Sequence, residues 1–147
     1  MRYFEDFSEG EELPFGPHTV TRAEIVAFAA EFDPQPFHLD ERAAAETMLG
    51  GLAASGWHTC ALFMRMLYDG WVTDAASMGS PGVDTLKWLR PVRPGDTLSG
   101  RSIVLEIRAS KSKPDRGFIK FRHEVVNERG EPVMLLENPV MLQRRPS

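Results

Sequence analysis

The sequence predicts an α+β chain in which a curved antiparallel β-sheet wraps around one long central helix. Three observations predict it. The stretch from about Ser55 to Val72 carries Leu62, Phe63, Met64, Met66, Leu67, Tyr68 and Trp71 around most of a helical circumference, with only Arg65 and Asp69 as an exposed i,i+4 pair. Beyond Ser80-Pro81-Gly82 the pattern becomes extended, with Ile103, Leu105 and Ile107 alternating with Ser102, Glu106 and Arg108. Short turn signals, Arg93-Pro94-Gly95-Asp96 and Asn127-Glu128-Arg129-Gly130, separate these stretches as in a meander. A helix and a run of strands that each present an apolar face bury those faces against one another.

The elements follow in order. A first strand is expected near Leu13–Val20. Thr21 and Glu24 have capping-box spacing, and Ile25, Val26, Phe28, Ala29 and Phe32 then give a helix over about Thr21–Phe32. It stops at Asp33-Pro34-Gln35-Pro36, because a residue before proline is pushed out of the helical region. Asp40 caps a short helix to about Met48, interrupted by Gly50-Gly51. The long helix follows, expected to lie inside the protein. Strands are then expected over Val83–Val92, around Ile103–Ile107, over Phe118–Val126 and over Val133–Leu142, with Pro139 marking a bulge or a sheet edge.

Length and composition narrow the function. A chain of 147 residues suits a single domain, 1–147, since compact domains commonly run to roughly 100–150 residues. A net charge of -4 supplies no positive field for a phosphate backbone, so nucleic acid is not an expected partner. The lone Cys60 forms no internal disulfide and no Cys-rich zinc site, and no stretch approaches the roughly 20 apolar residues of a membrane span. A cytoplasmic protein without membrane association is expected. His18, His38, His58 and His123 are too scattered to present metal ligands on one face, so no metal is expected either.

The chemistry concentrates in Asp33-Pro34-Gln35-Pro36-Phe37-His38. Two prolines stiffen the segment between a carboxylate and an imidazole, so both side chains can be held toward one water, one removing a proton while the other donates. The competing reading makes Asp33 a turn cap and His38 a half-buried loop residue. Further on, Ser55-Gly56-Trp57-His58 opens the long helix. First-turn amides and the helix dipole stabilise an oxyanion, and glycine lets a carbonyl approach without a Cβ in the way, so Gly56 is the oxyanion candidate. Its alternative is a plain tight entry into a packed helix.

The stretch Asp33–Thr59 resembles the signature of the MaoC-like dehydratase and (R)-specific enoyl-CoA hydratase family, Asp-x-Asn-Pro-x-His-x-Asp. The matching positions are Asp33, Gln35, Pro36, His38 and Asp40, and the family's apolar-His-Gly element falls on Ala54, Ser55 and Gly56. Arg90-Pro91-Val92-Arg93-Pro94-Gly95-Asp96-Thr97-Leu98 is similar to the family's Pro-Val-x-x-Gly-Asp-Thr-Leu turn. The resemblance implies a hotdog fold, a homodimer or an assembly of dimers, and reversible hydration of a trans-2-enoyl thioester. Coenzyme A or an acyl carrier would be part of the substrate, and no cofactor would be needed. Asp33 and His38 would activate the water and Gly56 would hold the thioester oxygen. Gln35 replaces the usual Asn and Ser55 a common His, which bears on substrate identity first.

Gln35, Ser55 and Trp57 are candidate substrate-binding residues, and Arg90 and Arg93, with Lys87, are candidates for the coenzyme A phosphates. Trp57, Met64, Met66 and Trp71 are candidates for an acyl tunnel. Two other functions fit the same fold: an acyl-CoA thioesterase, which wants a carboxylate near the helix start where the local sequence offers His58 and Thr59, and a non-catalytic acyl-thioester-binding subunit.

Overall fold

A computed structural model describes residues 1–147. Its elements are β1 (Glu12–Thr19), α1 (Arg22–Phe32), α2 (Glu41–Ala45), α3 (Gly56–Gly70), β2 (Ser77–Gly79), β3 (Thr85–Trp88), β4 (Thr97–Ala109), β5 (Arg116–Val126) and β6 (Pro132–Gln143). All strand pairs are antiparallel, in the order β1-β4-β5-β6, with the short β2 and β3 both on the free edge of β6. The sheet closes over α3 in the hotdog arrangement that the family resemblance implies.

The local signals operate as read. Thr21 Oγ1 accepts from the Glu24 amide at 3.2 Å while Glu24 accepts from the Thr21 amide at 2.7 Å, completing the capping box of α1. At the other end, Asp33 leaves the helical region at φ −153°, as the following Pro34 demands. Asp40 caps α2 by accepting from the Arg42 amide. That helix ends at Ala45, three residues short of the expected Met48.

On β5 the alternate residues Ile119, Phe121, His123 and Val125 face inward and are buried, meeting Leu98 and Val104 of β4, Leu136 and Leu142 of β6, and Phe63, Met66 and Leu67 of α3. The helix is not wholly interior. His58, Thr59, Phe63, Met66 and Leu67 are buried, but Trp57, Met64 and Tyr68 are 60%, 47% and 48% exposed on the opposite face. The apolar circumference thus divides between a core stripe and an outer strip.

The extended run expected over Val83–Val92 forms a strand only at Thr85–Trp88, and Ser77–Gly79 adds a strand that periodicity did not reveal. Pro139 lies on β6 between the segments paired to β3 and to β2. Ser80 Oγ donates to its carbonyl there, so the missing proline N–H falls in a gap where no strand needs it. No helix is long and apolar enough to cross a membrane.

Candidate active site

The site is built where α1 ends and α3 begins. Asp33, at the C-cap of α1, projects both carboxylate oxygens into hydrogen bonds: Oδ1 accepts from Gln35 Nε2 at 2.7 Å, and Oδ2 accepts from Ser55 Oγ at 2.7 Å. Pro36–His38 forms a single 3-10 turn, with Pro36 fixing its first position, and this turn returns His38 toward Asp33. The His38 Nε2 to Asp33 Oδ2 distance is 3.4 Å, and both side chains are largely shielded.

His38 is oriented from behind. Its Nδ1 lies 2.7 Å from the carbonyl oxygen of Ala53, which can only accept, so Nδ1 carries the proton and donates. Nε2 is thereby turned toward the Asp33 carboxylate. Two acceptors at this spacing are satisfied by a water that donates to each, or by protonating Nε2. The Ser55 hydroxyl, followed by the Gln35 amide and the charge of His38, holds the Asp33 carboxyl below its ordinary pKa against the opposing effect of burial.

Ser55 is also the N-cap of α3, its Oγ accepting from the Trp57 amide at 3.3 Å. One buried hydroxyl therefore ties the Asp33 carboxylate to the helix start. Gly56 follows as the first helical residue, so its N–H has no intrahelical acceptor and remains available at the positive end of the helix. A methyl group there would come within 2.5 Å of the Trp88 ring, so glycine is required for the indole to rest on the helix backbone.

A cavity of about 450 Å³ is lined by the buried His38, Ala53, Ala54, Thr59 and Val133 together with Gly56 and the half-exposed Trp88. Met48, Leu49, Leu89 and Arg90 surround its mouth. The arrangement offers a carboxylate and imidazole for proton transfer, a free amide for a developing oxyanion, and apolar walls for an acyl group.

Of the sequence candidates, Asp33, Gln35, His38, Ser55 and Gly56 converge here. Gln35 and Ser55 serve as hydrogen-bond donors to Asp33, and of these five only His38 and Gly56 line the cavity. Arg90 lies at the mouth, its guanidinium donating to the Pro132 carbonyl at 3.1 Å. The other candidates fall elsewhere: Lys87 is exposed on β3, Met64 and Trp71 line a separate hollow, and Met66 is buried in the core. Trp57 turns outward, edge-on to Trp88 at 5.2 Å. Arg93 donates to the carbonyls of Leu49, Gly51 and Leu52, so its charge clamps the loop before α3 and is not free for a phosphate. Ala53 had no sequence signal at all, because it acts through its carbonyl. Thr59 reads only as a residue at the start of the long helix, and Val133 only as the start of the last strand.

Cys60 has its thiol pKa raised by burial, in keeping with a packing role. His58 is buried and stacked on Phe28 at 4.7 Å, with Nδ1 unpartnered, and burial lowers its pKa. No cluster of side chains has the makings of a metal site.

Known proteins share this fold. A crystal structure of a MaoC-like dehydratase from Rhodospirillum rubrum is 44% identical and superposes over the full length of both chains with a TM-score of 0.94. The (R)-hydratase PhaJ1 of Pseudomonas aeruginosa is 26% identical, with a TM-score of 0.73 over 97% of this chain and 86% of its own. Among curated proteins, a mesaconyl-CoA hydratase of Cereibacter sphaeroides is 27% identical over 147 residues, 98% of this chain and 42% of the hydratase. Two further curated relatives are also longer than the matched region, which spans 30% and 61% of them. The model of the MaoC like domain matches residues 6–124, which contain Asp33, His38 and Gly56 and most of the sheet, and the chain belongs to that family.

Proposed function

We propose that this protein, acting as a single hotdog unit paired with a second copy, reversibly adds water across the double bond of a trans-2-enoyl thioester. The observation that carries the reading is the meeting of Asp33 Oδ2 and His38 Nε2 at 3.4 Å beside the free first-turn amide of Gly56. A water held by the pair attacks C3. The pair takes one proton from that water as the C–O bond forms and returns one to C2, so the enzyme ends unchanged. Between the two events the thioester oxygen carries enolate charge, and the Gly56 N–H and the α3 dipole stabilise it. No metal or redox group takes part in these steps.

Family membership and the similarity to proteins described as (R)-hydratase and mesaconyl-CoA hydratase support this chemistry. Coenzyme A or an acyl carrier bears the acyl group, with exposed Arg90 at the mouth to meet its phosphates. The outer strip of Trp57, Met64 and Tyr68, with half-exposed Trp88 and Leu89, is the face proposed for the second copy. A cytoplasmic setting fits a chain with a single unpaired cysteine.

A thioesterase remains the competing enzyme for one specific reason. The fold brings the Asp33 carboxylate to the start of α3 through Ser55, supplying the group that the local sequence lacked. Crotonyl-CoA separates the two. Loss of enoyl absorbance without free thiol is the expected result, and both Asp33→Asn and His38→Ala are expected to lower turnover by roughly 10²–10⁴-fold. Thiol released ahead of hydration, or turnover unchanged in both variants, overturns the assignment; unchanged turnover would favour a non-catalytic binding subunit with a contaminating activity.

A further inference from the structure

Two hollows lie along one stripe of α3. The first is the cavity holding His38 and Gly56. The second, about 310 Å³, is lined largely by apolar groups, among them Cys60, Phe63 and Leu67 of α3 and Leu136 and Val140 of β6. At 3.6 residues per turn, Gly56, Cys60, Phe63 and Leu67 fall within about 60° of one another around the helix. The second hollow therefore continues the line of the first, starting one turn further along.

Trp88 stands at the junction. Its ring rests on the bare Cα of Gly56, and its Nε1 donates to the Gly56 carbonyl at 3.0 Å. Cys60 Sγ is 3.7 Å from Met134 Sδ, and Met134 is the cross-strand partner of Trp88, so both side chains leave the sheet on the same side. Trp88 borders only the first hollow and Cys60 only the second.

We propose that Trp88, backed by Cys60 and Met134, is a partition that confines the acyl group to the catalytic cavity and restricts the protein to short-chain thioesters. This deepens the hydratase reading and rests on it. The apolar space beyond, about 310 Å³, begins at Cys60, one turn of α3 past the Gly56 on which the indole rests. The indole suits this use because it is rigid, and it is held at two ends, by its N–H on the Gly56 carbonyl and by edge-on packing against Trp57.

The test compares kcat/KM for crotonyl-CoA and trans-2-octenoyl-CoA in the full chain. The wild type is expected to favour crotonyl-CoA. Trp88→Ala is expected to raise the octenoyl-to-crotonyl ratio on the order of 100-fold, the transfer preference of four further methylenes reaching apolar space. Trp88→Phe, which keeps the partition, is expected to change the ratio by only a few-fold, and Val140→Phe added to Trp88→Ala, which refills the second hollow, is expected to reverse the gain. Should Trp88→Ala not fold, Trp88→Leu opens the same passage.

A folded variant whose ratio stays at the wild-type value overturns the proposal, as does a wild type that already prefers octenoyl-CoA. A wild type that hydrates neither substrate fails the hydratase reading instead. In that case the partition is tested by calorimetric binding of butyryl-CoA and octanoyl-CoA, where Trp88→Ala must favour the longer ligand and an unchanged preference refutes it.

Discussion

Replacing Ser55 by alanine removes one oxygen that does two things, and the two are separable by experiment. The hydroxyl caps α3 by accepting from the Trp57 amide, and it donates to Asp33 Oδ2 at 2.7 Å across 22 residues of chain. Loss of an N-cap costs about 1 kcal/mol. Loss of a hydrogen bond to a largely shielded carboxylate costs about 1.5–3 kcal/mol. Ser55→Ala is therefore expected to lower unfolding stability by about 2.5–4 kcal/mol at neutral pH. The sign of the pH dependence follows from Asp33. Its folded pKa is depressed, so the stability it contributes is present above the unfolded value of about 3.9 and is lost as pH falls through the folded value. The gap between wild type and variant in urea unfolding should accordingly narrow in acid. In kcat/KM, the acid limb should move to higher pH in Ser55→Ala because the carboxylate loses its main stabilising donor, while Ser55→Thr, which keeps the hydroxyl, should restore the wild-type limb. A variant with a lowered stability but an unmoved acid limb would reduce Ser55 to a helix cap and refute its link to the carboxylate.

Further outcomes follow from other contacts. His123 is buried in the β5 inner row between Ser102 and Asn138, and burial pushes its pKa down to about 4. The unfolded chain therefore binds this proton first, and stability should fall by up to about 3 kcal/mol as pH drops from about 6.5 to about 4, a slope that His123→Gln should remove in pH-dependent urea titrations; an unchanged slope would show that another group is responsible. Gly56→Ala places a methyl group within 2.5 Å of the Trp88 ring and should cost about 1–3 kcal/mol, most of it recovered in the Gly56→Ala, Trp88→Ala double variant; strict additivity in thermal unfolding would refute that contact. Arg93→Ala frees the carbonyls of Leu49, Gly51 and Leu52 and should cost about 2 kcal/mol, with faster amide hydrogen exchange at Leu52; exchange at the wild-type rate would mean the loop holds without its clamp.

By itself the sequence determined the pieces whose conformation depends on near neighbours. Thr21 and Glu24 fix where α1 starts, Asp33 before Pro34 fixes where it stops, and Pro36 sets the turn that returns His38, because steric exclusion and capping act within three or four residues. The pairing of Asp33 with His38 was legible for that reason, and the alternating strands were legible because pleating gives them a period of two. The tertiary structure decided everything that depends on distant segments meeting. Ser55 binds the carboxylate from 22 residues away, Trp88 seats on Gly56 from 32 residues away, and the Ala53 carbonyl orients His38 without any side-chain signature. Arg93 read as a free cation until the loop it clamps was in place, and α3 read as wholly interior although its apolar circumference is shared between a core and an outer face. Local sterics are written in consecutive residues, whereas the choice of which surfaces bury one another is made by the packing of the whole chain.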